Sequence, residues 1–334
     1  MMKKRHILHW AMGVVMTPLL GSCAADDVVG DAGREGCDII SGQPMTVTSA
    51  TRSADGGTSS TQFEIGETVW LWANKSGSSE YIKAWQLTAQ SGGNLTGSSA
   101  KYWPSDGSSL DVYALHGNFK KSPSISEGTT KWSNLSLTHT VEANQSTDNN
   151  KRLSDLLYSQ TSSVAPNTGS VQLTFNHLLA KITVKLDLTN SKGINEGELA
   201  NAEVKLTNIL PDATISNTSL TANPVQTSTT GTRTTITSGK IPSSINSGDV
   251  IGSAIVPLQN FGATNSNKIT IKLRDTRSFS YTPADVTLGK GNEYIYTLKI
   301  INGELSVSSI SVSNFTNETT QEKKWDIYVE PSGS

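Results

Sequence analysis

The chain has 334 residues, a length that accommodates two domains of ordinary size. Hydrophobic residues make up 35% and charged residues 17%, a polar, turn-rich composition in which Val, Ile and Leu recur often enough to exclude wholesale disorder. The formal net charge is −2, and loss of the leader's Lys3, Lys4 and Arg5 takes it to −5; a mildly acidic surface lacks the concentrated basic face that nucleic-acid binding needs.

The N-terminus reads as an export signal. "MMKKRH" is a basic opening, and Ile7 to Leu20 is a short apolar segment interrupted by His9 and Pro18. It is too short for a membrane span, and no other apolar run approaches about 18 residues. Leu20-Gly21-Ser22-Cys23 matches a bacterial lipobox, which makes residues 1–22 a signal peptide and Cys23 the lipidated residue. The alternative is an ordinary cleaved leader with Cys23 free to pair with Cys37. These are the only cysteines, so no disulfide framework holds the fold and no cysteine metal site is expected. Residues 23–44 follow as a tether of small and acidic residues. Asp26 and Asp27 are similar to the acidic surface-export signal of Bacteroides-group lipoproteins, or are acids that a solvated linker carries by chance.

A strand begins at Met45, with Met45, Val47, Ser49 and Thr51 on one face. It ends on the protease-accessible Arg52 and a run of small residues. Period-two alternation then recurs from Phe63 onward. Val69, Leu71 and Ala73 oppose Trp70 and Trp72; Leu110, Val112 and Ala114 oppose Tyr113 and Leu115. Val171, Leu173 and Phe175 share a face, as do Ile182, Val184, Leu186 and Leu188, and later Tyr294, Tyr296, Leu298 and Ile300. Short helices are expected near Leu153 to Tyr158 and Gly197 to Ala202. The polar stretch from Thr189 to Asn201 is the expected junction between two β-sandwich domains, 45–190 and 191–334. At the C-terminus, "KKWDIYVEP" sets Trp325, Ile327 and Val329 on one face.

Enzyme chemistry is not expected. Only His116, His139 and His177 follow the leader, without metal-ligand spacing, and no nucleophile-elbow, zinc-helix or phosphate-loop motif occurs. Neither a cofactor nor a metal is expected. Asp106 and Asp111 read as acids of a solvated hairpin rather than a cation site. Trp70, Trp72, Trp85, Trp103 and Trp132 read mainly as core aromatics; the second reading is a glycan-binding surface protein, in which they form platforms for sugar rings.

Several stretches together resemble one family. "KYWPSDGSSLDVYAL" (Lys101 to Leu115), "DLLYSQ" followed by "VQLTFNHLLAKITVKL" (Asp155 to Gln160, Val171 to Leu186), and "GNEYIYTLKI" (Gly291 to Ile300) are similar to corresponding segments of the fimbrillins, the lipoprotein pilins of type V pili. The resemblance implies an all-β fold of two tandem transthyretin-like antiparallel β-sandwich domains. It implies a pilus or fimbrial subunit that supports adhesion, reaches the outer membrane through a lipid anchor, and assembles with other pilin subunits as a homopolymer or mixed fibre. It also implies a trypsin-like protease that cuts after an arginine beyond the first strand: Arg52, or alternatively Arg34. The vacated groove then takes a strand from another subunit, for which residues 324–330 with anchors Trp325, Ile327 and Val329 are the expected donor. Each recovered backbone hydrogen bond contributes about 0.5–1.5 kcal/mol and each seated apolar side chain about 1.5–3 kcal/mol. A tip or anchor subunit is the variant of this reading that donates no strand or is never cut.

Overall fold

The computed structural model describes residues 43–49, 63–77, 80–222, 226 and 228–315. Within them the chain is all-β, with short helical pieces between strands. The first ten strands are β1 (Thr46–Ser49), β2 (Thr68–Lys75), β3 (Glu80–Ala89), β4 (Asn94–Gly97), β5 (Leu110–His116), β6 (Ser136–Thr140), β7 (Leu157–Val164), β8 (Ser170–Leu173), β9 (Asn176–His177) and β10 (Ala180–Leu186). All except β6 and β10 join one sheet in the order β8-β1-β4-β3-β2-β5-β7-β9.

This sheet curls over its own inner face. Val171 and Leu173 of β8 cluster with Leu157 of β7, from near the opposite end of the order, and with Val69, Leu71, Leu87, Leu95 and Val112 between them. The alternation legible in the sequence explains which side chains enter. Val69, Leu71 and Ala73 point into this core, whereas Trp72 joins a second core on the other face. β5 divides in the same way, with Leu110, Val112 and Ala114 inward and Tyr113 and Leu115 outward. Both faces of these central strands are therefore buried, which accounts for their nearly continuous apolar sequences. Gly97 lets β4 pass close over the Trp85 ring, since a methyl there would lie 2.0 Å from the indole nitrogen.

The remaining strands are β11 (Glu203–Ile209), β12 (Asp212–Ser216), β13 (Ser228–Thr230), β14 (Thr234–Lys240), β15 (Val250–Val256), β16 (Asn260–Phe261), β17 (Lys268–Lys272), β18 (Ser278–Tyr281), β19 (Val286–Thr287), β20 (Asn292–Ile301) and β21 (Glu304–Asn314). Two four-stranded sheets, β15-β10-β20-β21 and β14-β11-β17-β18, share the second core. Ile182, Val184, Tyr294 and Tyr296 enter from one sheet, and Val204, Leu206, Ile269 and Ile271 from the other. β6 completes a three-stranded sheet with β12 and β13, and β16 pairs with β19. Two neighbouring pairs are parallel, β1 with β8 and β10 with β20.

Two local expectations change. The Thr189–Asn201 stretch does not separate the two sets of sheets. β10 lies before it, yet both partners of β10, β15 and β20, come after it. The chain passes from the first sheet to the second set between β9 and β10, while β6 leaves the first half to pair with β12. The stretch itself carries helix α2 (Glu196–Leu199; α1 is Asp148–Ser154), closed by a capping box in which Asn195 and Glu198 exchange side-chain-to-backbone hydrogen bonds of 3.0 Å. The helix expected at Leu153 to Tyr158 lies earlier, as α1. Thr147 caps it by accepting from the Asn150 amide, and Leu157 onward is drawn into β7 by its ladder with β5.

Candidate functional site

β1 is only four residues long, yet it occupies an interior position. On one side it runs antiparallel to β4, with Val47 opposite Leu95; on the other it runs parallel to β8, with Thr46 to Ser49 opposite Ser170 to Leu173. Met45, Val47 and Ser49 face the core and are 5%, 2% and 6% exposed, the face that alternation marks. The chain before β1 is also tied. The Met45 amide donates to the Lys101 carbonyl at 2.7 Å, and the Trp103 amide donates to the Gln43 carbonyl at 3.1 Å. Thr46 Oγ1 donates to the Gly169 carbonyl at 3.3 Å, and Ser49 Oγ to that of Gly93 at 3.4 Å.

A strand with neighbours on both sides leaves two consequences if removed. β4 and β8 each lose a row of backbone partners, and the apolar floor that holds Met45 and Val47, including Leu95, Trp103, Val171 and Leu173, opens to water. The site is therefore a strand-shaped seat with an occupant of modest apolar content.

The other residues singled out in the sequence fall into place around it, or outside it. Cys23, Arg34, Arg52, Trp325, Ile327 and Val329 lie outside the described residues. Trp72, Trp85, Trp103 and Trp132 are buried in the two cores. Trp132 stacks on Tyr113 with ring centres 4.2 Å apart. Only Trp70 of the five is half-exposed. Asp106 pairs with Lys75 at 2.6 Å, and this bond holds its carboxyl well below the usual range. Asp111 accepts from Ser76 Oγ and from the Ser163 amide. Both acids are thus engaged as hairpin and loop ties. Among the described residues no group of three His, Cys, Asp or Glu side chains is placed to hold a metal ion, and no helix is long and apolar enough to cross a membrane.

The three histidines have separate structural settings. His139 is fully buried; its Nδ1 accepts from the Asn118 amide and its Nε2–H donates to the Ser154 carbonyl, both at 2.9 Å. Burial pushes its pKa down to about 4, so the ring is neutral. His177 Nδ1 lies 2.9 and 3.1 Å from the two carboxylate oxygens of buried Asp155, and the ring stacks on Phe315 at 3.9 Å. His116 Nδ1 bonds the Thr68 carbonyl at 2.9 Å, and its ring lies 5.0 Å from that of Phe63.

The model of the fimbrillin-like family matches residues 51–314, and the chain is a member of that family. Two solved structures share the fold. A candidate cell-adhesion protein from Bacteroides uniformis superposes with a TM-score of 0.58 at 18% identity, covering 82% of this chain and 99% of its own. One from Bacteroides ovatus gives 0.61 at 15% identity, covering 83% and 99%. No curated protein matches the chain.

Proposed function

We propose that the chain is a structural subunit of a cell-surface fimbria, exported as a lipoprotein through Cys23 and assembled by protease-triggered strand exchange in support of adhesion. The observation that carries this reading is the seat of β1: a four-residue strand, bonded on both sides, with only Met45 and Val47 as large apolar anchors. Arg52 lies three positions beyond the last residue of β1, so a cut there detaches the strand covalently from everything after it. Arg34 is a poorer site on this logic, because a cut before β1 leaves the strand attached to its sheet. An incoming strand with Trp325, Ile327 and Val329 on one face brings more apolar area than Met45 and Val47 supply, and strand addition to an open sheet position rewards such a difference. Two sandwich domains, a surface-exposed outer-membrane location, a trypsin-like processing protease and neighbouring pilin subunits complete the proposal.

N-terminal sequencing of protein recovered from the cell surface tests it. Assembled material is expected to start at Ser53. Fibres whose subunits keep a lipid-blocked Cys23 would refute processing at Arg52 and move the chain to an uncut anchor role.

A further inference from the structure

A cleft among the described residues lies away from the β1 seat. It has a volume of about 690 Å³ and is formed by the start of β2, the loop after β5, and α1. Its size falls within the range of small-ligand sites, roughly 300–1,000 Å³. Trp70, Phe119 and Ile125 give it apolar walls, each half-buried, and Ile65 stands on its rim at 71% exposure.

The floor is polar and incompletely bonded. Among the described residues ten buried side-chain nitrogen or oxygen atoms have no hydrogen-bond partner, and three of them line this one cleft: His116 Nε2, Asn118 Oδ1 and Arg152 Nε. His116 and Asn118 are 5% and 7% exposed. Buried polar atoms of this kind cost free energy, so their concentration at one place calls for a reason. Their chemistry is fixed by the bonds their residues do make. His116 gives its Nδ1–H to the Thr68 carbonyl, which leaves Nε2 as the ring's unengaged nitrogen. Asn118 gives its amide hydrogens to the Thr140 carbonyl and Glu142 Oε1, which leaves Oδ1 an acceptor. Arg152 Nε–H is a donor, 3.5 Å from Glu67 Oε1. The floor therefore asks for a group that both donates and accepts, which a hydroxyl does and a simple anion or cation does not.

The charges of the lining point the same way. Glu64 and Glu67 face Lys120 and Arg152 around the cleft, so the formal charges of these four side chains sum to zero. Burial also raises the Glu67 carboxyl above its usual range, against the opposing pull of His116 and Arg152. Such a lining selects neither sign of ligand charge.

We infer that this cleft binds a neutral polyhydroxylated ligand of the hexose class, with the sugar's C–H face against Trp70 and its hydroxyls over Asn118, His116 and Arg152. An indole offers a sugar ring a flat apolar surface, and Trp70 is the one tryptophan of its group left open to do so. The site lies on the first sheet and α1 and needs no partner subunit, so it stands or falls independently of strand exchange.

The experiment is a nitrogen–proton NMR titration of the isotope-labelled chain with the methyl glycosides of glucose, galactose, mannose, fucose and N-acetylglucosamine, and with glucuronate and glucosamine as charged probes. The Trp70 indole signal is assigned with Trp70→Phe. At least one neutral glycoside is expected to shift that signal saturably while the signals of buried Trp72 and Trp132 stay put. Arg152→Gln, with an unchanged melting temperature, is expected to weaken binding about tenfold, the equivalent of one lost hydrogen bond to a charged group. The inference is overturned if no neutral glycoside moves Trp70, if Arg152→Gln binds like the parent, or if a charged probe binds more tightly than every neutral one. Should Arg152→Gln fold poorly, Asn118→Asp replaces it, and undiminished binding by that variant overturns the inference equally.

Discussion

β1 and β21 are the first and last strands the structure describes, and they are held in opposite ways. β1 has four residues, two neighbours and an inward face almost closed to solvent. β21 has eleven residues, but among the described residues β20 is its only strand partner, and its Val307, Ile310 and Val312 remain half-buried. Length is thus a poor guide to what a strand contributes. An edge strand can fray with loss of one row of hydrogen bonds, whereas an interior strand separates two neighbours and a core when it leaves.

The comparison breaks most readily at Val47. Placing a charge there, as Val47→Asp, buries a carboxylate among Leu95, Trp103 and Val171 and is expected to destabilise the protein by more than about 3 kcal/mol in urea unfolding. Val312→Asp on β21 is expected to cost about 1 kcal/mol or less, because a half-buried edge position lets the carboxylate reach water. Equal losses at the two positions would remove the distinction between the strands.

Acid sharpens the contrast between the two cores. His139 belongs to the second core's side of the molecule, on β6, and its pKa is about 4 when folded against 6.5 when unfolded. Between those values the unfolded chain binds the extra proton, so stability falls as pH falls through that window, by on the order of 3 kcal/mol in all. Urea midpoints measured across pH 6.5 to 4 should show this slope in the parent and much less of it in His139→Gln. A slope of the same size in both would assign the acid sensitivity elsewhere. The smallest expected effect is at Lys75, whose partner Asp106 is exposed. Lys75→Ala should leave the urea midpoint unchanged within error, since solvent screens such pairs.

What the sequence made legible was local. The two-residue period assigned inward and outward faces correctly on β2, β5, β8, β10 and β20, because burial on a pleated strand repeats every second residue. Met45, Val47 and Ser49 were readable as one face for the same reason. The interior position of β1 was not, since its parallel partner β8 lies more than a hundred residues away, Thr46 facing Ser170, and no local pattern encodes so distant a pairing. The same holds for β10: its alternation was plain, but its membership of the second set of sheets depends on β15 and β20, far downstream. The cleft was the least legible feature. Glu67, the His116–Asn118 stretch and Arg152 come from three separate segments, and the unsatisfied atoms of His116, Asn118 and Arg152 exist only in the folded arrangement. Alternation turned Trp70 and Trp72 alike away from Val69 and Leu71, and only the fold shows that Trp72 is buried while Trp70 lines the cleft.

The most direct test of the assembly account uses protein cut after Arg52, prepared with and without residues 320–334. The account predicts that the cut protein carrying the C-terminal segment forms detergent-resistant ladders, and that the cut protein lacking it stays monomeric. Identical ladders from both preparations would contradict it.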